Sequence, residues 1–136
     1  MDTKALKKRF LGEEAYLPRI CMLLPEMNYP EKVNLTEELL DRNLPHYAEK
    51  IAIYWDTKRI SYRELHSEVN RFANALRKLG ICPNDRVVLR SMNIPEQIVW
   101  NFACWRIGAI PVLVNHLNRG FEIEFKINDS EAVAIC

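Results

Sequence analysis

The stretch from Ser61 to Val114 limits the fold more than any other part of the chain. It opens on Ser61 and Glu64, the spacing of a capping box: the serine hydroxyl accepts from a first-turn N–H and the glutamate reaches back to the cap N–H. Behind the box, Tyr62, Leu65, Val69, Phe72, Leu76 and Leu79 recur at intervals of three and four, which predicts one apolar stripe on a helix. Gly80 follows where a left-handed residue closes a helix. Pro83-Asn84-Asp85 is a turn, and Arg86–Met92 is a strand rich in Val and Leu. Asn93-Ile94-Pro95-Glu96 begins a second helix, with the proline at the first helical position. That helix is apolar on more than one side and stops at Gly108. Ile110–Val114 is a strand in which Pro111 fits only a start, bulge or edge position. Such alternation builds a parallel sheet with helices on its faces.

The flanks add less. Residues 1–33 read as an N-terminal arm and connector, with Pro25 and Pro30 too close together for a helix. Residues 34–136 read as an incomplete α/β subdomain. A helix is expected from Asn34 to Asn43, capped by Thr36, with Leu35, Leu39 and Leu40 on its apolar side and Pro45 ending it. Ile51–Trp55 and Lys58–Tyr62 flank Asp56-Thr57 as a β-hairpin. Arg119–Asn128 is a helix with Ile123 and Ile127 inward, and Ala132–Cys136 is a last strand with no closing element, so the domain reads as cut. The expected fold is α/β: a partial doubly wound parallel sheet, flanking helices and one β-hairpin.

Composition excludes several functions. The formal net charge is +1, which gives no basic face for nucleic acid. The longest uncharged run, Ile107 to Asn118, is far short of a membrane span and contains glycine and proline. The N-terminus lacks the apolar core of a signal peptide. Cys21, Cys82, Cys104 and Cys136 are scattered, the pattern of buried, reduced thiols in a cytoplasmic protein, and no metal-ligand spacing occurs. Gly12, Gly80, Gly108 and Gly120 are each isolated, so they form no phosphate cradle. His46, His66 and His116 lie near no nucleophile, and His66 flanks the helix stripe. The pairs Glu13-Glu14 and Glu37-Glu38 are solvated helix faces, and Trp100 and Trp105 are core. No catalytic residue is assigned.

From Ile60 to Cys136 the chain resembles the N-terminal part of the AMP-forming adenylating enzymes, the superfamily of acyl- and aryl-CoA synthetases. The likeness is carried by Ser61-Tyr62-Arg63-Glu64-Leu65, by Asn70 to Leu76, and by Leu79-Gly80 with Pro83 and Asp85-Arg86-Val87. It continues in Asn93-x-Pro95-Glu96, in Ala103-Cys104-x-Arg106-x-Gly108-Ala109-x-Pro111-Val112-x-Val114-Asn115, and in Asp129-Ser130. The segment Leu39 to Leu44 is similar to the lead-in of benzoate-type and medium-chain acyl-CoA ligases. Three turn positions depart from the family: Asn84 for glycine, Ile94 for a capping serine, which makes Asn93 the expected cap instead, and Arg119-Gly120 for Thr-Pro.

The resemblance implies a carboxylic acid–CoA ligase that uses ATP, Mg²⁺ and CoA. It also implies that the phosphate loop, the Tyr-Gly-x-Thr-Glu motif, the ribose-binding Asp and the catalytic Lys lie outside this chain. An N-terminal fragment, inactive and without bound cofactor on its own, is therefore expected. Its partner is the remainder of the synthetase, or a self-association partner at the open sheet edge. The alternative is a non-catalytic interaction or regulatory module. A small flavodoxin-like binding domain is disfavoured by the missing phosphate loop. One site candidate arises: Asn115 and His116, in Asn115-His116-Leu117-Asn118 after a strand end, correspond to a loop near the incoming CoA in the family. Against it stands the reading that Asn115 only ties the loop and Asn118 caps the next helix.

Overall fold

A computed structural model describes residues 30–136. The expected arm and most of the connector fall on residues 1–29 and so lie outside the described residues. Asn34–Cys136 form one compact unit. Its elements are α1 (Leu35–Leu39), a 3₁₀ turn (Asp41–Asn43), α2 (Leu44–Tyr47), β1 (Ile51–Trp55), β2 (Lys58–Ser61) and α3 (Tyr62–Lys78). They continue with β3 (Arg86–Ser91), α4 (Pro95–Arg106), β4 (Ile110–Asn115), α5 (Gly120–Ser130) and β5 (Ala134–Ile135).

The strands make two sheets among the described residues: the antiparallel hairpin β1–β2, and a parallel sheet in the order β4-β3-β5. Asp56, at φ 49°, turns the hairpin. β4 is an edge, as Pro111 requires. The Ile110 N–H donates to the Asp85 carbonyl across the β3 side (2.8 Å). Backbone groups alternate along a strand, so the Pro111 nitrogen, which has no hydrogen to donate, faces away from β3.

Alternation along β3 also sorts the layers. Val87 and Leu89 join Ala73 and Leu76 of α3 and Ala103 and Cys104 of α4 in the main core. Arg86, Val88 and Arg90 face the other way, toward α5 and its flanking loops; Val88 is fully buried. A second core, Leu40, Leu65, Val69 and Val99, sits between the hairpin and α3 and α4.

The capping box of α3 forms as spaced. The Glu64 N–H donates to Ser61 Oγ at 3.3 Å, and the Ser61 N–H donates to the Glu64 carboxylate at 2.8 Å. Ser61→Ala is expected to cost about 1 kcal/mol in a urea melt. The Ser61 N–H and hydroxyl also hold the Glu64 carboxyl below its usual value. A carboxylate whose folded pKa is depressed adds stability above its unfolded pKa and loses it as pH falls through the folded one. The wild type is therefore expected to lose stability below about pH 4.5 more steeply than Glu64→Gln. Parallel acid limbs for the two proteins would remove Glu64 from that dependence.

Several local expectations are corrected. Asn34, not Thr36, caps α1: its Oδ1 accepts from the Thr36 and Glu37 N–H groups. Thr36 is instead buried and its hydroxyl donates to the Phe102 carbonyl at 2.7 Å. The five-residue helix turns Leu40 inward and leaves Leu35 and Leu39 exposed. Pro45 does not end a helix; it lies in the first turn of α2, where its missing N–H costs nothing. Leu79 leaves the α3 stripe: as C-cap it is 75% exposed, and Ile81 takes the inward place after Gly80 reverses the chain. Ile94, not Asn93, occupies the N-cap of α4, and no side chain caps it. Of the described cysteines, Cys82, Cys104 and Cys136 are all free, but only Cys104 is buried.

Candidate functional site

Open α/β sheets receive ligands outside the carboxyl ends of their strands. There, β3 and β4 end side by side on paired residues, Ser91 and Asn115. A cleft of about 180 Å³ opens between these ends and the start of α4. Asn115 and His116 both line it, together with Ser91, Met92, Asn93 and Gln97. The two residues picked from the sequence are thus brought to one cleft, and α4 contributes its first-turn glutamine to the opposite wall. The volume is below the roughly 300 Å³ that a drug-sized ligand fills, so the cleft suits the narrow end of a longer molecule.

The loop over the cleft has an internal frame. Asn115 Oδ1 accepts from the Leu117 N–H at 2.9 Å, and the Asn118 N–H donates to the Asn115 carbonyl at 3.0 Å. Asn115 therefore ties its own loop, as one of the two readings had it. Asn118 is not the cap of α5. Arg119 holds that position, and its N–H donates to the Glu122 carboxylate at 2.7 Å.

A further residue reaches the loop without any signal of function in its own neighbourhood. Arg90, from β3, donates through Nη2 to the carbonyls of His116 (2.6 Å) and Asn118 (3.2 Å). Four residues earlier on the same face, Arg86 grips the far end of α5. Its Nε donates to the Ser130 carbonyl (2.8 Å) and its Nη2 to the Glu131 carbonyl (3.1 Å). A guanidinium at a helix C-terminus satisfies carbonyls that have no intrahelical partner. From the sequence, the i and i+4 spacing shows only that the two arginines share one face of the strand, not which carbonyls they meet.

Among the described residues no group of three or more His, Cys, Asp or Glu side chains is placed to hold a metal ion. The Cys104 thiol is pushed up to about 11 by burial and by the neighbouring Cys136, so it stays protonated and unreactive at neutral pH. His66 Nε2 lies 3.5 Å from Asp41, and its ring meets the Asn70 amide, which is a packing arrangement. Arg106 makes a bidentate pair with Asp41 at 2.6 and 2.9 Å, tying the 3₁₀ turn to α4. Phe72 and Trp100 meet at a tilt of 58° with 4.9 Å between ring centres, and Trp105 meets Phe102 edge to face. No helix among the described residues is long and apolar enough to cross a membrane.

Residues 40–136 match the family described as AMP-binding enzyme. The acetyl-coenzyme A synthetase of Escherichia coli O157:H7 is 44% identical over 84 residues, which is 57% of this chain and 13% of that protein. The anthranilate CoA ligase AuaEII, solved with anthranoyl-AMP, superposes with a TM-score of 0.75 at 28% identity, over 82% of this chain and 22% of its own. The benzoate CoA ligase of Burkholderia xenovorans LB400 gives a TM-score of 0.70 at 30% identity, over 76% of this chain and 21% of its own. The chain therefore spans less than a quarter of each of these relatives.

Proposed function

The chain belongs to the AMP-binding enzyme family, and from that premise we propose that it works as scaffold in an AMP-forming carboxylic acid–CoA ligase. The complete enzyme would condense ATP with a carboxylic acid to an acyl-adenylate, release pyrophosphate, and pass the acyl group to the CoA thiol. The observation that carries this reading is the parallel β3–β4 pair with Asn115 and His116 at its carboxyl end, inside the family match. Asn115 and His116 would face the incoming CoA, whose narrow thiol end suits a cleft of about 180 Å³. As the family resemblance implies, ATP and Mg²⁺ would be held by the rest of the ligase. That remainder would also cover Leu117, Phe121 and Phe125, which stand exposed around α5. A cytoplasmic setting goes with this role.

Two classes of acid are represented among the relatives. The relatives above are an acetyl-coenzyme A synthetase and an anthranilate and a benzoate CoA ligase, beside the benzoate-type and medium-chain lead-in at Leu39–Leu44.

The test uses this chain alone and as a graft. Alone, it is expected to release no pyrophosphate above background with acetate, benzoate or octanoate. Grafted over the matched 84 residues of the Escherichia coli acetyl-coenzyme A synthetase, it is expected to keep acetate activation within about tenfold of the parent, because scaffold substitutions that preserve volume are tolerated. Pyrophosphate release by the isolated chain, or a folded graft without any, would sink the proposal.

A further inference from the structure

Arg86 and Arg90 bracket one excursion of the chain. Between them they hold both ends of the segment that leaves β4, forms the cleft loop and runs through α5. Little else holds it. No residue of α5 is fully buried, Ile123 and Ile127 are half-buried, and Phe121 and Phe125 are 82% and 63% exposed. The α5 end is fixed by Arg86, which donates to the Ser130 and Glu131 carbonyls and pairs with the Glu131 carboxylate, whereas the loop end rests on Arg90 and the Asn115 frame.

We propose that Arg90 is a positioning residue: by gripping the carbonyls on either side of Leu117 it sets where His116 stands over the cleft, and so sets the affinity of the complete ligase for CoA without touching it. The proposal rests on the reading of the cleft given above. Its geometry is specific. One guanidinium nitrogen serves two carbonyls two residues apart, which fixes the turn between them. The His116 backbone is thereby pinned 2.6 Å from a charge on the neighbouring strand. A charged donor of this kind is worth more than a neutral one. Arg90 is itself an exposed residue, so its loss leaves no buried group without a partner.

Two measurements separate this inference from the reading beneath it. The first needs no ligand. Amide exchange in the 136-residue chain is expected to speed up at Leu117 and Asn118 by about tenfold in Arg90→Ala, with Val87 and Leu89 unchanged. Arg90→Lys is expected to restore part of the protection. Unchanged exchange at Leu117 and Asn118 would overturn the inference. The second uses the grafted ligase. Arg90→Ala is expected to raise KM for CoA about tenfold while acetate-dependent pyrophosphate exchange, which precedes CoA, stays at the parent rate. His116→Ala and Asn115→Ala control the reading. If they raise KM for CoA and Arg90→Ala does not, the inference falls and the cleft stands. If none of the three moves KM, the cleft reading falls, and a functional role for Arg90 with it.

Discussion

Replacing Asp41 with alanine is expected to lower the unfolding free energy by about 2–3 kcal/mol, read as the urea midpoint shift at constant slope. The effect comes from what is left behind. Arg106 is 17% exposed, and both its terminal nitrogens are spent on Asp41, itself 29% exposed. The Arg106 Nε is already buried without a partner among the described residues. Removing Asp41 therefore strands a nearly buried guanidinium, and the cost is that of an uncompensated charge rather than of one contact. Removing both partners together, in Asp41→Ala with Arg106→Leu, is expected to cost less than Asp41→Ala alone. A double variant as unstable as the sum of the singles would show the two residues to be independent.

Leu76→Ala is expected to cost about 3 kcal/mol and to lower Tm by roughly 10 °C. Leu76 is 1% exposed and lies where α3, β3 and α4 meet. Its neighbours Val87 and Leu89 belong to the central strand of the sheet, which is pinned on both sides by ladder hydrogen bonds. The site therefore cannot collapse easily, and the cavity stays open. Leu79→Ala is the matched control. The same helical spacing puts Leu79 in the stripe, yet its exposure predicts a change within about 0.5 kcal/mol. Equal losses at the two positions would contradict the burial of α3. Calorimetry of both variants decides it.

These two leucines show where the sequence could be read and where it could not. Spacing placed Leu65, Val69 and Leu76 inward because a helix repeats its geometry every turn. It failed at Leu79 because the repeat ends with the helix, and Gly80, at φ +86°, sends the chain elsewhere. Caps followed the same divide. The Ser61–Glu64 box involves four consecutive residues and was fully legible. Thr36 was not, because its hydroxyl is claimed by a carbonyl 66 residues away. Pro45 is compatible with both ending and starting a helix, and only the packing of its neighbours selects one. At the site, the end of β4 marked Asn115 and His116. Arg90 acts across strands, and that partnership depends on register, which no local pattern contains.

The grip of Thr36 on α4 reaches beyond local capping. The family match starts at residue 40, yet cohesion starts earlier. The Asn34 side-chain amide donates to the Arg106 carbonyl at 3.3 Å, and the Thr36 hydroxyl to Phe102. The Arg106 carbonyl is in the last turn of α4, where backbone acceptors lack partners of their own, and the Phe102 carbonyl lies one turn before it. Residues 34–39 thus act as a cap supplied from outside the helix. The stretch that matches from residue 40 and the stretch that must melt together are different lengths of chain. Comparisons of stability between relatives that align only from residue 40 onward would leave out the piece that finishes α4.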